Sequence, residues 1–136
     1  MGTDLSEIVG RTIESLYVSD DDGILTFITD DGQRSYIALG DCCSTSWFAD
    51  ITGVDALIGG KVAACEVAPL DDYDIDDGRC REDVDEAYGW IVTTGKGRAT
   101  IVFRNSSNGY YGGWCDYNAT EQDVSKMKRI TDDWSA

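Results

Sequence analysis

The chain has 136 residues, with 26 acidic against 11 basic side chains and a formal net charge of −15. That length allows one domain, 1–136, with a buried core of its own. Self-repulsion of this size excludes nucleic acid and anionic membrane as direct partners and favours basic, cationic or neutral ones.

In chain order, residues 11–18, 23–29 and 33–39 are rich in β-branched and aromatic types, with Asp-Asp-Asp-Gly at 20–23 and Asp-Asp-Gly at 30–32 between them. Asp and Gly tolerate the positive φ of tight turns, so three strands in two hairpins are expected. Val9, Ile13, Leu16, Val18, Ile24, Leu25, Phe27, Ile28, Tyr36, Ile37 and Leu39 are the expected core positions of this region. Trp47, Phe48, Ile51, Val54 and Leu57 or Ile58 recur at helical spacing, which predicts a short helix broken near Gly53. Residues 61–67 resume strand character, ended by Pro69. The acid-rich stretch over 69–87 reads as a long exposed loop with little to bury.

Residues 88–94 and 98–104 form the clearest hairpin, joined by Gly95-Lys96-Gly97. Trp90, Val92, Ala99, Ile101 and Phe103 alternate so that one face packs inward. Asn105-Ser106-Ser107-Asn108-Gly109 is expected to turn, with a further strand over 110–117. A terminal helix is predicted over 119–134, capped by Thr120 and Asp123, with Lys126, Lys128 and Arg129 near its end and Val124, Met127 and Ile130 docking it. The expected architecture is α+β: a mainly antiparallel sheet, one short inserted helix and a C-terminal helix.

Enzymatic function is not expected. The chain has no histidine to serve as a base, no Ser-x-x-Lys pair, and around Lys96 neither the full glycine run nor the Ser or Thr of a phosphate loop. No cofactor is expected. The five cysteines, Cys42, Cys43, Cys65, Cys80 and Cys115, are odd in number and lack Cys-x-x-Cys spacing, so free, mostly buried thiols are expected over a disulfide or a metal site. Asp72, Asp74, Asp76 and Asp83 resemble a calcium loop in their alternation. The glycine at 78 falls one position late and the final ligand is Asp instead of Glu, so a solvated loop is the expected reading. The first residues lack a signal-peptide pattern and no run reaches membrane-span length, which points to an intracellular protein.

Two features remain as binding candidates. Asp71, Asp72, Asp74, Asp76, Asp77, Glu82, Asp83 and Asp85 concentrate negative charge, with Glu86, against only Arg79 and Arg81. Such a surface favours fast, salt-sensitive association with a basic protein, as in mimicry of a nucleic acid; adaptation to a salt-rich host or a high-GC genome accounts for the same Asp excess. Trp47, Asn105, Asn108, Tyr110, Tyr111 and Trp114 combine amides and aromatic rings able to stack a flat or sugar-like ligand, although strand aromatics usually pack inward.

Gly40-Asp41-Cys42-Cys43-Ser44-Thr45-Ser46-Trp47-Phe48, continued by 53–59, and 103–114, Phe-Arg-Asn-Ser-Ser-Asn-Gly-Tyr-Tyr-Gly-Gly-Trp, resemble an uncharacterised family of small proteins encoded by bacteriophages and their hosts, a domain of unknown function. The similarity runs from about 8 to 117, leaving the terminal segment outside. The resemblance implies a phage setting, in which small acidic accessory proteins block host defences or nucleases. It supplies no catalytic residues. The expected function is therefore a non-enzymatic inhibitor of a host defence or nucleic-acid-processing protein (an anti-CRISPR or DNA-mimic type of role) in the host cytoplasm. A nucleotide-binding or sponge protein and a virion decoration or assembly protein are the alternatives.

Overall fold

Turn chemistry starts the fold. The Ser19 hydroxyl accepts from the Gly23 and Ile24 amides at 3.1 and 2.9 Å and donates to Asp21 at 2.7 Å, while Asp22 adopts a positive φ of 62°. In the next turn Thr29 Oγ1 donates to the Gly32 carbonyl at 2.7 Å and Gly32 has a φ of 101°. These two turns join β1 (Ile13–Val18), β2 (Ile24–Thr29) and β3 (Gly32–Gly40), as the Asp and Gly runs predict. The structure, a computed structural model, describes residues 7–40, 45–69, 84–107, 113–118 and 121–135.

The chain continues as β4 (Thr45–Thr52), the one-turn helix α1 (Val54–Leu57), β5 (Val62–Pro69), β6 (Val84–Thr94), β7 (Gly97–Ser107) and β8 (Gly113–Asn118). After a 3-10 turn over Val124–Lys126 come two short strands, β9 (Lys128–Arg129) and β10 (Trp134–Ser135). All pairings are antiparallel, in two five-stranded sheets ordered β8-β3-β2-β1-β9 and β10-β4-β7-β6-β5. The inner faces meet in one core. Trp90 of the second sheet lies edge-on to Tyr36 of the first, centroids 5.1 Å apart, and to Phe48 of its own sheet at 5.5 Å. Ile13, Leu16, Val18, Leu25 and Phe27 face Ile51, Val92, Ala99, Ile101 and Phe103 in the same cluster. Of the expected core residues, Val9 is instead 40% exposed, and Ile24, Ile28 and Ile37 are only half-buried.

This is a β-rich fold and not the α+β arrangement expected from the sequence. The helix expected over 47–58 is mostly strand, and the reason is a bulge. The register of β4 against β7 slips between Phe48 and Asp50, so Phe48 and Ile51, three residues apart, both face the core. A bulge places an extra residue on one strand, and here it imitates the spacing of a helical turn. Within that stretch only α1 is helical, entered through Gly53 at a φ of 76°.

The C-terminal helix over 119–134 is likewise replaced. Among the described residues, Asp123 caps only the 3-10 turn, through Ser125 N, and the chain then runs as a strap across both sheets. Lys128 and Arg129 pair with β1, Trp134 and Ser135 pair with β4, and buried Ile130 donates its amide to Leu16 O at 2.8 Å. Gln33 and Gln122 exchange hydrogen bonds of 2.9 and 2.8 Å, and Lys128 pairs with Asp22. Two open sheet edges offer the tail ladder hydrogen bonds and a place to bury Ile130, and these outweigh a weak amphipathic helix.

The loop expected over 69–87 and the turn over 105–109 also give ground to strand. β6 begins at Val84 and β7 continues to Ser107, paired residue for residue from Val84↔Ser107 to Thr94↔Gly97. β7 is the central strand, with partners on both flanks, so its polar end is held in the ladder.

Candidate functional site

The register brings the two sequence motifs into direct opposition. β3 ends at Gly40 opposite Gly113, and β4 begins at Thr45 opposite Ser106. Residues 41–44 and 108–112 between those pairs lie outside the described residues; on either side of them the two motif segments are paired, β3 with β8 in the first sheet and β4 with β7 in the second. β5 leaves the second sheet at Pro69, opposite Tyr88, and β6 enters it at Val84, opposite Ser107. The ends flanking the acidic stretch and both motif connections thus lie at one end of the second sheet.

Asp85 sits in β6 opposite Ser106, and Glu86 opposite Asn105. Asp71, Asp72, Asp74, Asp76, Asp77, Glu82 and Asp83 lie outside the described residues, as do Asn108, Tyr110 and Tyr111 and the calcium-like set Asp72, Asp74, Asp76 and Asp83. Trp47 and Asn105 stand on paired neighbouring strands, whereas Trp114 belongs to β8 in the first sheet, opposite Leu39.

Trp47 opposes Arg104, on the face of β4 and β7 away from the main core. The guanidinium carbon lies 4.8 Å from the ring centroid, and the two residues are 1% and 0% exposed. A desolvated cation over indole gains about 2 kcal/mol or more, yet taking a guanidinium out of water costs several kcal/mol unless it is paired. This end of the sheet is therefore a closed polar junction, with Trp47 sealed beneath Arg104 together with Ala49 and Val102. Sequence reading passed over Arg104. Its signal was a lone charge closing the run Ile101-Val102-Phe103, at a position that alternation turns away from the face of Ile101 and Phe103; the register then sets it opposite Trp47.

Cysteine chemistry adds little at this site. Cys65 is a free thiol that burial pushes up to about 11, and Cys115 is buried in the core. Cys42, Cys43 and Cys80 lie outside the described residues. Among the described residues no three metal-ligating side chains converge, and no helix is long and apolar enough to cross a membrane.

The described strands define a two-sheet antiparallel β protein. The chain belongs to the family described as a domain of unknown function, DUF7448, whose model matches residues 6–117. That match contains both motif segments and ends before the strap formed by β9 and β10. An uncharacterised protein of Acanthamoeba polyphaga mimivirus is 34% identical over 82 residues, 58% of this chain; the chain spans 63% of that protein's length. No solved structure matches the chain.

Proposed function

We propose that this chain is a non-enzymatic viral accessory protein, of bacteriophage type, that binds and inhibits a basic host protein of defence or nucleic-acid processing through its acidic end. The observation that carries the reading is the placement of strand ends: Pro69 and Val84, which bound the acidic stretch in sequence, both lie at one end of the second sheet. Clustered charge of one sign raises association rates with an oppositely charged partner by about 10- to 1,000-fold at low salt. The mimivirus relative supports a viral setting.

The test replaces Asp72, Asp74, Asp76 and Asp77 together by asparagine and compares capture of host proteins at about 50 mM and about 500 mM salt, since screening shortens from roughly 14 to 4 Å over that range. A basic protein held by the parent chain at low salt, released at high salt and lost by a variant of unchanged circular dichroism is the expected result. Equal capture by parent and variant would defeat the reading.

A further inference from the structure

β5 is an edge strand of the second sheet, and its ladder pattern shows which of its main-chain groups are left over. Thr94 and Gly97 close the β6–β7 hairpin, so Thr94, Val92, Trp90 and Tyr88 bond toward β7, and the residues between them, Thr93, Ile91 and Gly89, bond toward β5. Their partners in β5 are Ala64, Glu66 and Ala68. Cys65, Val67 and Pro69 therefore turn their main-chain groups outward. Val62 agrees with this alternation: its amide donates outward to the Arg11 carbonyl at 2.9 Å and its carbonyl accepts from the Gly10 amide at 2.8 Å, which covers the start of the edge. Beyond Val62, among the described residues, nothing bonds to the amides and carbonyls of Cys65 and Val67. Pro69 offers a carbonyl and no N–H.

Exposed apolar surface lies along the same edge. Val67 is 45% exposed, and Val9, beside the Gly10 that covers the start of the edge, is the other large exposed hydrophobic among the described residues. Charge is thin here, since Glu66 is the only charged residue over 62–69 in a chain of net charge −15. The tail closes the edges of β1 and β4, whereas β5 keeps free ladder groups, and such an edge is a template for another strand.

We propose that β5 pairs antiparallel with β5 of a second copy of this chain, about a two-fold axis at Val67. The free groups select that register. With Val67 opposite the partner's Val67, each Val67 amide bonds to the opposing Val67 carbonyl, and each Cys65 amide bonds to the opposing Pro69 carbonyl, so every free donor is satisfied although Pro69 supplies none. Glu66 falls opposite Ala68. An axis at Glu66 would set like charges face to face, and one at Cys65 would bring Val67 against the bulge between Val62 and Ala64. The nearly uncharged edge is also where two chains of −15 approach with least repulsion. One strand pair belongs at the low end of interface sizes, below roughly 1,200 Å², so the dimer is weak and reversible. Salt strengthens it by screening the remaining charge, the opposite of its effect on capture of a basic partner, and the dimer stands whether or not the proposed function does.

Sedimentation velocity of the full chain, from micromolar to millimolar protein at about 50 mM and about 500 mM salt, tests the proposal. The dimer fraction should rise with protein and with salt, and amide hydrogen exchange at Cys65 and Val67 should slow in step. Val67→Pro removes an N–H that the chain's own ladder does not use, on an edge strand where proline is tolerated; it deletes the two central hydrogen bonds and should weaken the dimer about tenfold or more. Val67→Lys keeps the N–H but sets two like charges at the axis, and should act likewise. A chain that stays monomeric throughout, a dimer unaffected by both substitutions, or one that leaves exchange at Cys65 and Val67 unchanged would overturn it.

Discussion

Replacing Gly53 by alanine tests the seat on which α1 rests. Gly53 has a φ of 76° and a ψ of 31°, a left-handed conformation that costs an L side chain about 1–2 kcal/mol. The added Cβ would also stand 2.5 Å from Arg98 O and 2.9 Å from Ala99 Cα. Those are backbone atoms of the central strand and cannot swing aside, so overpacking adds about 1–3 kcal/mol. The total, about 2–5 kcal/mol, is a large share of the roughly 5–15 kcal/mol that holds a domain folded. Gly10→Ala provides the control, because φ there is +84° yet nothing lies within 4 Å of the new Cβ. Only the conformational part, about 1–2 kcal/mol, should be lost. Urea unfolding followed by tryptophan fluorescence reads both variants. Equal losses would refute the close packing of α1 against β7.

Three further outcomes follow from the structure. The Ser19 hydroxyl, followed by the Gly23 amide, holds the Asp21 carboxyl below its usual value of 3.8; the stability this contributes is present above that value and lost as pH falls through the lower folded one, so Ser19→Ala should flatten the acid limb of the stability curve, and superimposable limbs would count against the turn. Cys65, pushed up to about 11 by burial, should resist iodoacetamide in the native protein near neutral pH, with stability falling as pH rises from about 9 toward that value; rapid labelling of native Cys65, mapped by mass spectrometry, would contradict its burial. Ending the chain at Asn118 removes the strap, including the burial of Ile130, worth about 1.5–3 kcal/mol, and bares the edges of β1 and β4. The shortened protein should melt earlier and associate in size-exclusion chromatography with light scattering, and a monomer of unchanged melting temperature would show that the strap is dispensable.

Local chemistry was legible in the sequence wherever a residue's conformation depends on near neighbours. Asp-Asp-Asp-Gly and Asp-Asp-Gly announced the turns around Asp22 and Gly32, and the alternation of Trp90, Val92, Ala99, Ile101 and Phe103 announced the central hairpin and its inward face. The concentration of acid between Asp71 and Glu86 was equally plain as composition, but that the strand ends bounding it lie at one end of a sheet depends on the pairing of Pro69 with Tyr88 and of Val84 with Ser107. Tertiary structure decided the rest. A bulge in β4 put Phe48 and Ile51 on one face at a spacing a helix shares, and the unfilled edges of β1 and β4 drew the tail into two short strands. The seat of α1 sets Gly53 against the backbone of Arg98, forty-five residues away. Period and propensity speak only for residues within a few positions of one another, whereas ladder hydrogen bonds and buried faces exist only once distant strands have found their partners.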